Sequence, residues 1–190
     1  RGTATLVTLS AENSQTALLN EQSGNFLSFN KGSSTTSYPR SLMGCISLMK
    51  QSYLDAQWYA VEGHKKETNL SLQAWNDNMS LTQFFVANDK LNVLRADKIA
   101  KAFGQKYIYV GGGDEYMRID ELKNTGSRFV IPVNYPAAMD VEDPFDAEIV
   151  DYSDMLHWEL AKTNAARLNM AGIEFSFTSE GLEGGCLLYT

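Results

Sequence analysis

The sequence predicts an α/β fold in which parallel strands are joined by crossover helices. Three observations predict it. From residue 83 onward, short runs rich in β-branched and aromatic residues alternate with longer stretches of helical periodicity. The strand candidates are nearly continuous apolar runs, as expected when helices cover a parallel sheet. Gly104 and Gly126 follow two helical patterns, where a helix commonly ends. The 190 residues suffice for one ordinary domain, and we expect a single α/β domain over residues 1–180 with an irregular tail at 181–190.

The first half of the sequence predicts two strands and two helices. The strands are expected at residues 5–9 and 25–29, with a polar loop at 10–24 between them. The clearest helix follows Pro39, because Ser41 is a suitable N-cap and Gly63 a natural stop. Its apolar residues recur at helical spacing: Leu42, Ile46, Met49, Tyr53, Ala56 and Tyr59 or Ala60. A second helix is expected through residues 72–76.

The second half alternates regularly. Strands are predicted at residues 83–87, 106–110, 127–133 and 173–178. Helices are predicted at residues 91–103, 114–124 and 154–170. Because strands that alternate with helices pair in parallel through right-handed crossovers, the carboxyl ends of these strands should meet at one edge.

Charge and cysteine content restrict the possible partners. The net charge is −7 and the isoelectric point about 4.8, which argues against nucleic acid or an anionic membrane surface as partner. No apolar run is long enough to cross a membrane, and no signal peptide is recognised. Cys45 and Cys186 lie far apart without a CxxC spacing. This favours one buried thiol and one near a loose end over a disulfide.

Candidate functional residues follow the predicted strands, because working groups of β/α proteins lie on loops at the carboxyl ends of strands. The ligand-binding candidates are Asn88, Asp89, Gly112, Asp114, Glu115 and Asn134. The catalytic candidates are Glu180, after the last strand, and His157, on the helix predicted at residues 154–170.

The triple glycine at residues 111–113 allows two interpretations. Its amides could hold a phosphate or a carboxylate at the start of the following helix. The favoured alternative is a tight strand-to-helix turn capped by Asp114, because the Lys-Ser/Thr pair of a P-loop and the spacing of a dinucleotide fingerprint are both missing.

For two further features, a structural interpretation is favoured over a functional one. The segment at residues 140–151 is rich in carboxylates, but its spacing is not that of a calcium-binding EF-hand loop, so a solvated acidic loop is expected. His157 stands beside Trp158 on a predicted helix, where a packed or hydrogen-bonded role is more common than metal ligation. His64 lies in a charged stretch, and we expect no function for it.

Several phrases together resemble the later barrel strands of the amidohydrolase superfamily, in the branch similar to imidazolonepropionase. They are NDKLNVLRADKIA at residues 88–100, GGGDEY at 111–116, IPVNYP at 131–136, HWELA at 157–161, ARL at 166–168, AGI at 171–173 and FTS at 177–179. The earlier phrases FNKGSS at 29–34, YP at 38–39 and SLMG at 41–44 resemble long, exported, two-part amidohydrolase-like proteins of Bacteroides-type bacteria. The resemblance covers most of residues 1–180.

The resemblance implies a partial (β/α)₈ TIM-barrel-like segment, since a complete barrel needs at least ~200 residues. The family hydrolyses C–N bonds of amides or cyclic amides with a divalent metal such as zinc, held by strand histidines and an aspartate. The matching positions here are residues 86–88, Gly112 and Glu180, and none is a histidine or aspartate. The resemblance therefore implies a chain without a metal of its own, inactive by itself. Its role would be structural or substrate-shaping beside the remaining parts of an exported or periplasmic parent protein.

Two alternatives stay open. The chain could be a metal hydrolase in which five side chains converge: Asp89, Asp114, Glu115, Glu180 and His157. It could instead be a small-molecule binding module that uses the loop at residues 111–113 and Asn134. In either case, a partial barrel has exposed strand edges, from which we expect self-association into a homo-oligomer.

Overall fold

A computed structural model describes residues 2–9, 13–32 and 35–182 of the chain. The chain divides into two compact units: unit 1 comprises residues 1–86 and 98–107, and unit 2 comprises residues 87–97 and 108–190. The predicted single domain over residues 1–180 stays a prediction. Of the predicted tail, residues 183–190 lie outside the described residues, and so does Cys186. Cys45 is a half-buried free thiol.

Unit 1 is built around three strands. The elements in chain order are β1 (Thr3–Val7), α1 (Ser14–Ala17), β2 (Leu18–Ser28), α2 (Leu42–Val61), a 3₁₀ turn (Gly63–Lys65), α3 (Leu70–Asn78) and β3 (Thr82–Val86). Strand β1 runs antiparallel to β2, with Thr3 opposite Asn25. Strand β2 runs parallel to β3, with Gly24 opposite Thr82. Helices α2 and α3 therefore form a crossover between parallel strands.

Of the loop predicted at residues 10–24, residues 10–12 lie outside the described residues, and the prediction is wrong for most of the remainder. Helix α1 occupies residues 14–17, and β2 begins at Leu18 rather than at Asn25. The reason is exposure: Leu18 to Gln22 are solvent-exposed on both faces of the strand. Such a strand has no alternation of apolar and polar residues by which it could be recognised.

Helix α2 confirms the strongest prediction of the first half. The Ser41 side chain accepts a hydrogen bond from the Gly44 N–H at 3.2 Å, and the helix ends at Val61, two residues before Gly63. Its buried face is Met49, Tyr53, Ala56 and Tyr59. Tyr53 stacks on Phe103 at a centroid distance of 4.7 Å, and its hydroxyl lies 2.6 Å from that of Tyr107. This aromatic contact forms part of the core of unit 1.

Unit 2 contains the alternation seen in the second half of the sequence. Helix α4 (Lys90–Ala102) and strand β4 (Tyr107–Val110) contribute residues to both units. Unit 2 continues with a 3₁₀ turn (Glu115–Arg118), α5 (Ile119–Lys123), β5 (Phe129–Pro132), α6 (Pro144–Glu148), α7 (Tyr152–Ala161), α8 (Asn164–Met170) and β6 (Phe175–Thr178). Strand β5 runs parallel to β4 and to β6. The predicted α/β class with parallel strands and crossover helices is confirmed.

Two predicted helices are divided. The helix expected at residues 154–170 is broken between Ala161 and Asn164 into α7 and α8. The one expected at 114–124 begins as a 3₁₀ turn and becomes α-helical at Ile119. The two interruptions are joined by one buried hydrogen bond, between Glu115 in the 3₁₀ turn and Asn164 at the start of α8. Every helix among the described residues is too short or too polar to span a lipid bilayer.

A buried pair of side-chain amides joins β2 to β3. Asn25 and Gln83 are 7% and 4% exposed, and Asn25 Nδ2 donates to Gln83 Oε1 at 2.9 Å. Gln83 Nε2 donates in turn to the carbonyls of Asn78 and Leu81. The two residues lie opposite each other in the parallel register, so the pair fixes how the strands align.

Asn25→Leu should therefore destabilise the protein by about 1–3 kcal/mol, because it leaves the Gln83 carbonyl oxygen buried without its donor. Equilibrium urea unfolding measures the change. Gln22→Leu, at an exposed position of the same strand, is the control and should stay within about 0.5 kcal/mol of the parent. Equal stability of the two variants would contradict the role of the pair.

A buried tyrosine of unit 2 makes the stability sensitive to alkaline pH. Tyr109 has no exposed surface, and its hydroxyl donates to the buried Asp97 carboxylate. Burial, together with the negative charge of Asp97, holds the pKa of Tyr109 well above its ordinary value of about 10.

The folded chain thus keeps a proton that the unfolded chain releases near pH 10. The contribution of Tyr109 to stability is complete below about pH 10 and declines as the pH rises above it. Urea unfolding between about pH 8 and about pH 11 should show a steeper decline for the parent than for Tyr109→Phe. Tyr152→Phe is the control, because Tyr152 is 75% exposed, and its decline should match that of the parent.

Candidate functional site

A cavity of about 250 Å³ in unit 2 lies at the carboxyl ends of β4, β5 and β6. It is lined by Gly112, Gly113, Ile131, Pro132, Asn134, Tyr135, Pro136, His157, Ala161, Asn164, Ala165 and Phe177. The glycines follow β4, Asn134 follows β5, and Phe177 lies near the end of β6. The cavity is therefore at the edge where working groups of parallel β/α structures are found.

A buried carboxylate holds the glycine turn beside this cavity. Glu115 has no exposed surface. Its Oε1 accepts hydrogen bonds from the N–H groups of Gly112 at 2.8 Å and Gly113 at 3.3 Å. The turn does bind a carboxylate, as one interpretation of the sequence had it, but the carboxylate belongs to the chain itself. The idea that these amides serve a small-molecule anion is corrected, because the donors are already used.

Asn164 completes the surroundings of the Glu115 carboxylate. Asn164 Nδ2 donates to Glu115 Oε2 at 2.6 Å, and Asn164 Oδ1 accepts from the Tyr116 N–H at 2.8 Å. The carboxylate thus has three donors, and both polar atoms of the amide are paired. These bonds attach the first residue of α8 to the turn after β4, which accounts for the break between α7 and α8.

Two of the three glycines are required by close contacts. A Cβ atom on Gly111 would lie 1.8 Å from Glu115 Oε1, and one on Gly112 would lie 2.0 Å from the carbonyl oxygen of Asn88. Asn88 itself has a φ of 63°, a left-handed conformation that asparagine tolerates better than most residues. The backbones at Asn88 and Gly112 are thus in direct contact.

Two of the three remaining acidic candidates, Asp89 and Asp114, stabilise helix α4. Asp114 Oδ1 accepts from the Lys90 N–H at 2.9 Å, and its Oδ2 pairs with Lys90 Nζ at 2.7 Å. Asp89 Oδ1 accepts from the Asn92 N–H at 2.8 Å. Two carboxylates at a helix amino terminus are favourable for the helix dipole. The prediction that the Asp114 side chain caps its own helix is wrong, since no such bond forms there.

His157 is half-buried on α7 and belongs to the cavity wall. Its Nδ1 lies 2.9 Å from the Tyr116 hydroxyl, and the two rings are nearly parallel with centroids 5.9 Å apart. The Arg167 guanidinium lies 5.7 Å from the centroid of the Tyr116 ring. Burial, and then the charge of Asp114, raise the pKa of Tyr116, while Arg167 lowers it. The hydrogen bond fixes the imidazole with Nε2 unbonded within the described part of the chain.

The structure brings together three of the eight candidate residues, namely Gly112, Asn134 and His157 in the cavity wall. Glu115 supports that wall from behind, and Asn88, Asp89 and Asp114 hold the neighbouring backbone. Glu180 is exposed and does not belong to the wall. Sequence reasoning missed Tyr116 and Asn164, and no local pattern marks either residue. His64 is exposed, with its Nδ1 3.0 Å from the Tyr59 carbonyl oxygen.

The described residues do not fit a metal ion. Within residues 2–9, 13–32 and 35–182, no three His, Cys, Asp or Glu side chains gather in a position to hold one. The convergence of Asp89, Asp114, Glu115, Glu180 and His157 does not form. The acidic residues between 140 and 151 are exposed to solvent, and Asp143 caps the short helix α6.

The Glu115 network can be tested by exchanging charge and amide. Glu115→Gln should cost about 1–3 kcal/mol, because its new NH₂ group must face an existing donor. Adding Asn164→Asp supplies an acceptor for that NH₂ group, so the double variant should be more stable than Glu115→Gln alone. Asn164→Asp alone places two carboxylates together and should be less stable than the double variant.

Thermal and urea unfolding of the four proteins give the coupling between the two positions. Glu142→Gln, in the exposed acidic loop, is the matched control and should leave stability unchanged. Additive effects of the two substitutions would show that the Glu115 and Asn164 side chains do not interact as described.

Comparison with known proteins yields one informative likeness. No protein-family model and no curated protein matches this sequence. The fold is similar to that of an amidohydrolase from Thermotoga maritima MSB8, whose crystal structure superposes with a TM-score of 0.69 at 14% identity. The match covers 94% of this chain and 47% of that one, so the chain spans about half the length of the amidohydrolase.

This likeness confirms the predicted partial TIM-barrel-like fold. At 14% identity it concerns the fold and leaves the reaction open. The chain has an amidohydrolase-like α/β fold.

Proposed function

We propose that this chain is the substrate-binding part of an amidohydrolase-like protein and does not hydrolyse a substrate by itself. The observation that carries the proposal is the cavity at the carboxyl ends of β4 to β6, in a fold shared with an amidohydrolase. Binding sites of such folds lie at this edge. The cavity presents hydrogen-bonding groups, but the residues around it do not fit a metal.

The polar groups of the wall suit a neutral polar ligand. Asn134 offers one donor group and one acceptor, and the unbonded Nε2 of His157 can take either role according to tautomer. Asn164 uses its Oδ1 and one N–H of its amide within the protein, which leaves its second N–H as a further donor in the wall. The wall contains no carboxylate, amine or thiol among the described residues. An amide is the ligand group that complements the Asn134 side chain with two hydrogen bonds.

The volume of the cavity restricts the size of the ligand. Its volume of about 250 Å³ is just below the range of about 300–1,000 Å³ typical of drug-sized ligands. A single-ring molecule is therefore appropriate. Ile131, Phe177 and the prolines supply apolar contacts. Together these features favour a small amide or cyclic amide.

The side chains around the cavity support the part of the proposal that excludes hydrolysis by this chain alone. Hydrolysis of an amide requires an activated nucleophile, either a metal-bound water or a side chain with an adjacent base. The described residues form no metal site, and the cavity wall contains no serine, threonine or cysteine. The hydroxyl beside His157 belongs to Tyr116, which is not part of the wall. In this proposal the metal, zinc in the family, is held by the remaining parts of the parent protein. Three further expectations belong to the same proposal. The parent protein is similar to the imidazolonepropionase branch and to exported proteins of Bacteroides-type bacteria. The chain self-associates through its exposed strand edges.

The binding step is testable with 2-pyrrolidone and hydantoin, two cyclic amides of suitable size. Titration followed by ¹H–¹⁵N NMR should give saturable shifts around Gly112, Asn134 and Ala161. Asn134→Leu should weaken binding about tenfold, since one hydrogen-bonding group is worth about 1.4 kcal/mol. Asn169→Leu, on an exposed position of α8, is the matched control and should bind like the parent.

The catalytic step is tested with the same compounds in the presence of added Zn²⁺. We expect no hydrolysis above the buffer rate. Zinc-dependent hydrolysis that disappears with a chelator, and falls in Asp89→Asn or Glu180→Gln, would replace the proposal by the carboxylate-ligated hydrolase. Failure of both cyclic amides to bind would overturn the proposed ligand class.

A further inference from the structure

The imidazole of His157, in the wall of the unit 2 cavity, has one nitrogen paired within the protein and one that is not. A neutral imidazole carries its proton either on Nδ1 or on Nε2, and the nitrogen without the proton is an acceptor. The partner of Nδ1 therefore determines whether Nε2 donates a hydrogen bond to a ligand or accepts one.

That partner is the Tyr116 hydroxyl, which lies 2.9 Å from Nδ1. The Tyr116 side chain is buried, and among the described residues its hydroxyl has no other hydrogen-bond partner. If Nδ1 donated to the phenol oxygen, the phenol hydrogen would have no acceptor, and a buried donor without an acceptor is costly. If the phenol donates to an unprotonated Nδ1, both groups are satisfied.

The surroundings of Tyr116 favour the same direction of donation. Burial, followed by the charge of Asp114, raises the pKa of Tyr116, and Arg167 opposes this shift only in part. The phenol therefore keeps, at neutral pH, the proton that it donates. The Tyr116 N–H donates to Asn164 Oδ1 at 2.8 Å, so the bonds that hold the glycine turn also hold the residue that carries the phenol.

We propose that Tyr116 holds His157 as the Nε2–H tautomer and thereby makes His157 a hydrogen-bond donor to a carbonyl oxygen of the ligand. The inference rests on the proposed function, because the ligand concerned is the one in the unit 2 cavity. Tyr116 lies outside the wall, so it is a positioning residue that acts through His157.

A donor at His157 determines which ligands the cavity prefers. Asn134 pairs with both the carbonyl and the N–H of one amide group. His157 lines the same cavity of about 250 Å³, and its N–H requires an acceptor of its own. A ring with a second carbonyl group supplies this acceptor, whereas a ring with one carbonyl leaves the His157 N–H unpaired. The site should therefore prefer the ring with two carbonyl groups.

The tautomer can be measured in the ligand-free protein by ¹H–¹⁵N NMR of the imidazole rings at about pH 8, where a model imidazole is neutral. The chain has two histidines, and His64→Gln assigns their signals. His64 serves as an internal reference, because its Nδ1 lies 3.0 Å from the Tyr59 carbonyl oxygen, which can only accept. His64 should therefore be the Nδ1–H tautomer, and His157 should be the opposite one.

Tyr116→Phe removes the phenol hydroxyl and should raise the ratio of Nδ1–H to Nε2–H forms of His157 about tenfold, the equivalent of one lost hydrogen bond. Tyr152→Phe is the matched control. Tyr152 is 75% exposed on α7, the helix that carries His157, and its substitution should leave the tautomer of His157 unchanged.

Ligand preference is measured with succinimide and 2-pyrrolidone, two five-membered rings that differ by one carbonyl group, at about pH 7. The parent should bind succinimide about tenfold more tightly than 2-pyrrolidone. His157→Leu should abolish this preference, and Tyr116→Phe should reduce it. Tyr152→Phe should keep the preference of the parent.

An Nδ1–H tautomer of His157 in the parent, an unchanged tautomer ratio in Tyr116→Phe, or equal affinities of the parent for the two rings would overturn the inference. If neither ring binds, the proposed ligand class fails, whereas the tautomer in the free protein still decides the role of Tyr116. If Tyr116→Phe fails to fold, the tautomer of the parent and the effect of His157→Leu on ring preference decide it.

Discussion

A carboxylate without exposed surface has to receive its hydrogen-bond donors from the fold, and around Glu115 this requirement organises unit 2. The donors come from the turn after β4 and from the start of α8, and Asn164 continues the chain of bonds to the Tyr116 backbone. Bonds to a charged group contribute about 1.5–3 kcal/mol each, which offsets a desolvation cost of several kcal/mol. Gly112, Gly113 and Asn164 are also wall residues of the cavity, so a polar network positions the binding surface.

The cavity of unit 2 differs in chemical character from a cavity of about 290 Å³ in unit 1, because the two walls carry different polar groups. In unit 2 the Gly112 and Gly113 amides are paired within the protein, and the polar groups of Asn134, Tyr135 and His157 remain in the wall for a neutral partner. In unit 1 four wall residues are aromatic, and Lys31 is the one charged residue of the described wall. An anion finds no lysine or arginine in the wall of the unit 2 cavity, which is why that cavity suits a neutral ligand.

Much of the fold could be predicted because it depends on local patterns. The Ser41 cap, the buried face of α2 and the parallel strands of unit 2 all follow from spacing and from cap or stop residues. The first half of β2 could not be predicted, since it is exposed on both faces and lacks alternation. The division of α7 from α8 depends on a bond between residues 49 positions apart, which no short-range pattern records. For the same reason the sequence indicated Glu115 as a ligand-binding group, although its side chain is buried and bonded within the protein.

The contact between the Gly112 backbone and the Asn88 carbonyl has a consequence for how such a protein can diversify. The loop before α4 and the loop after β4 touch through main-chain atoms, so neither can accept an insertion or a grafted sequence without reshaping the other. The loop after β5 is under no comparable restriction, and residues 137–138 and 140–149 are exposed throughout. New specificities should therefore be easiest to evolve or engineer by varying the loop after β5, while the two touching loops are best exchanged as a pair.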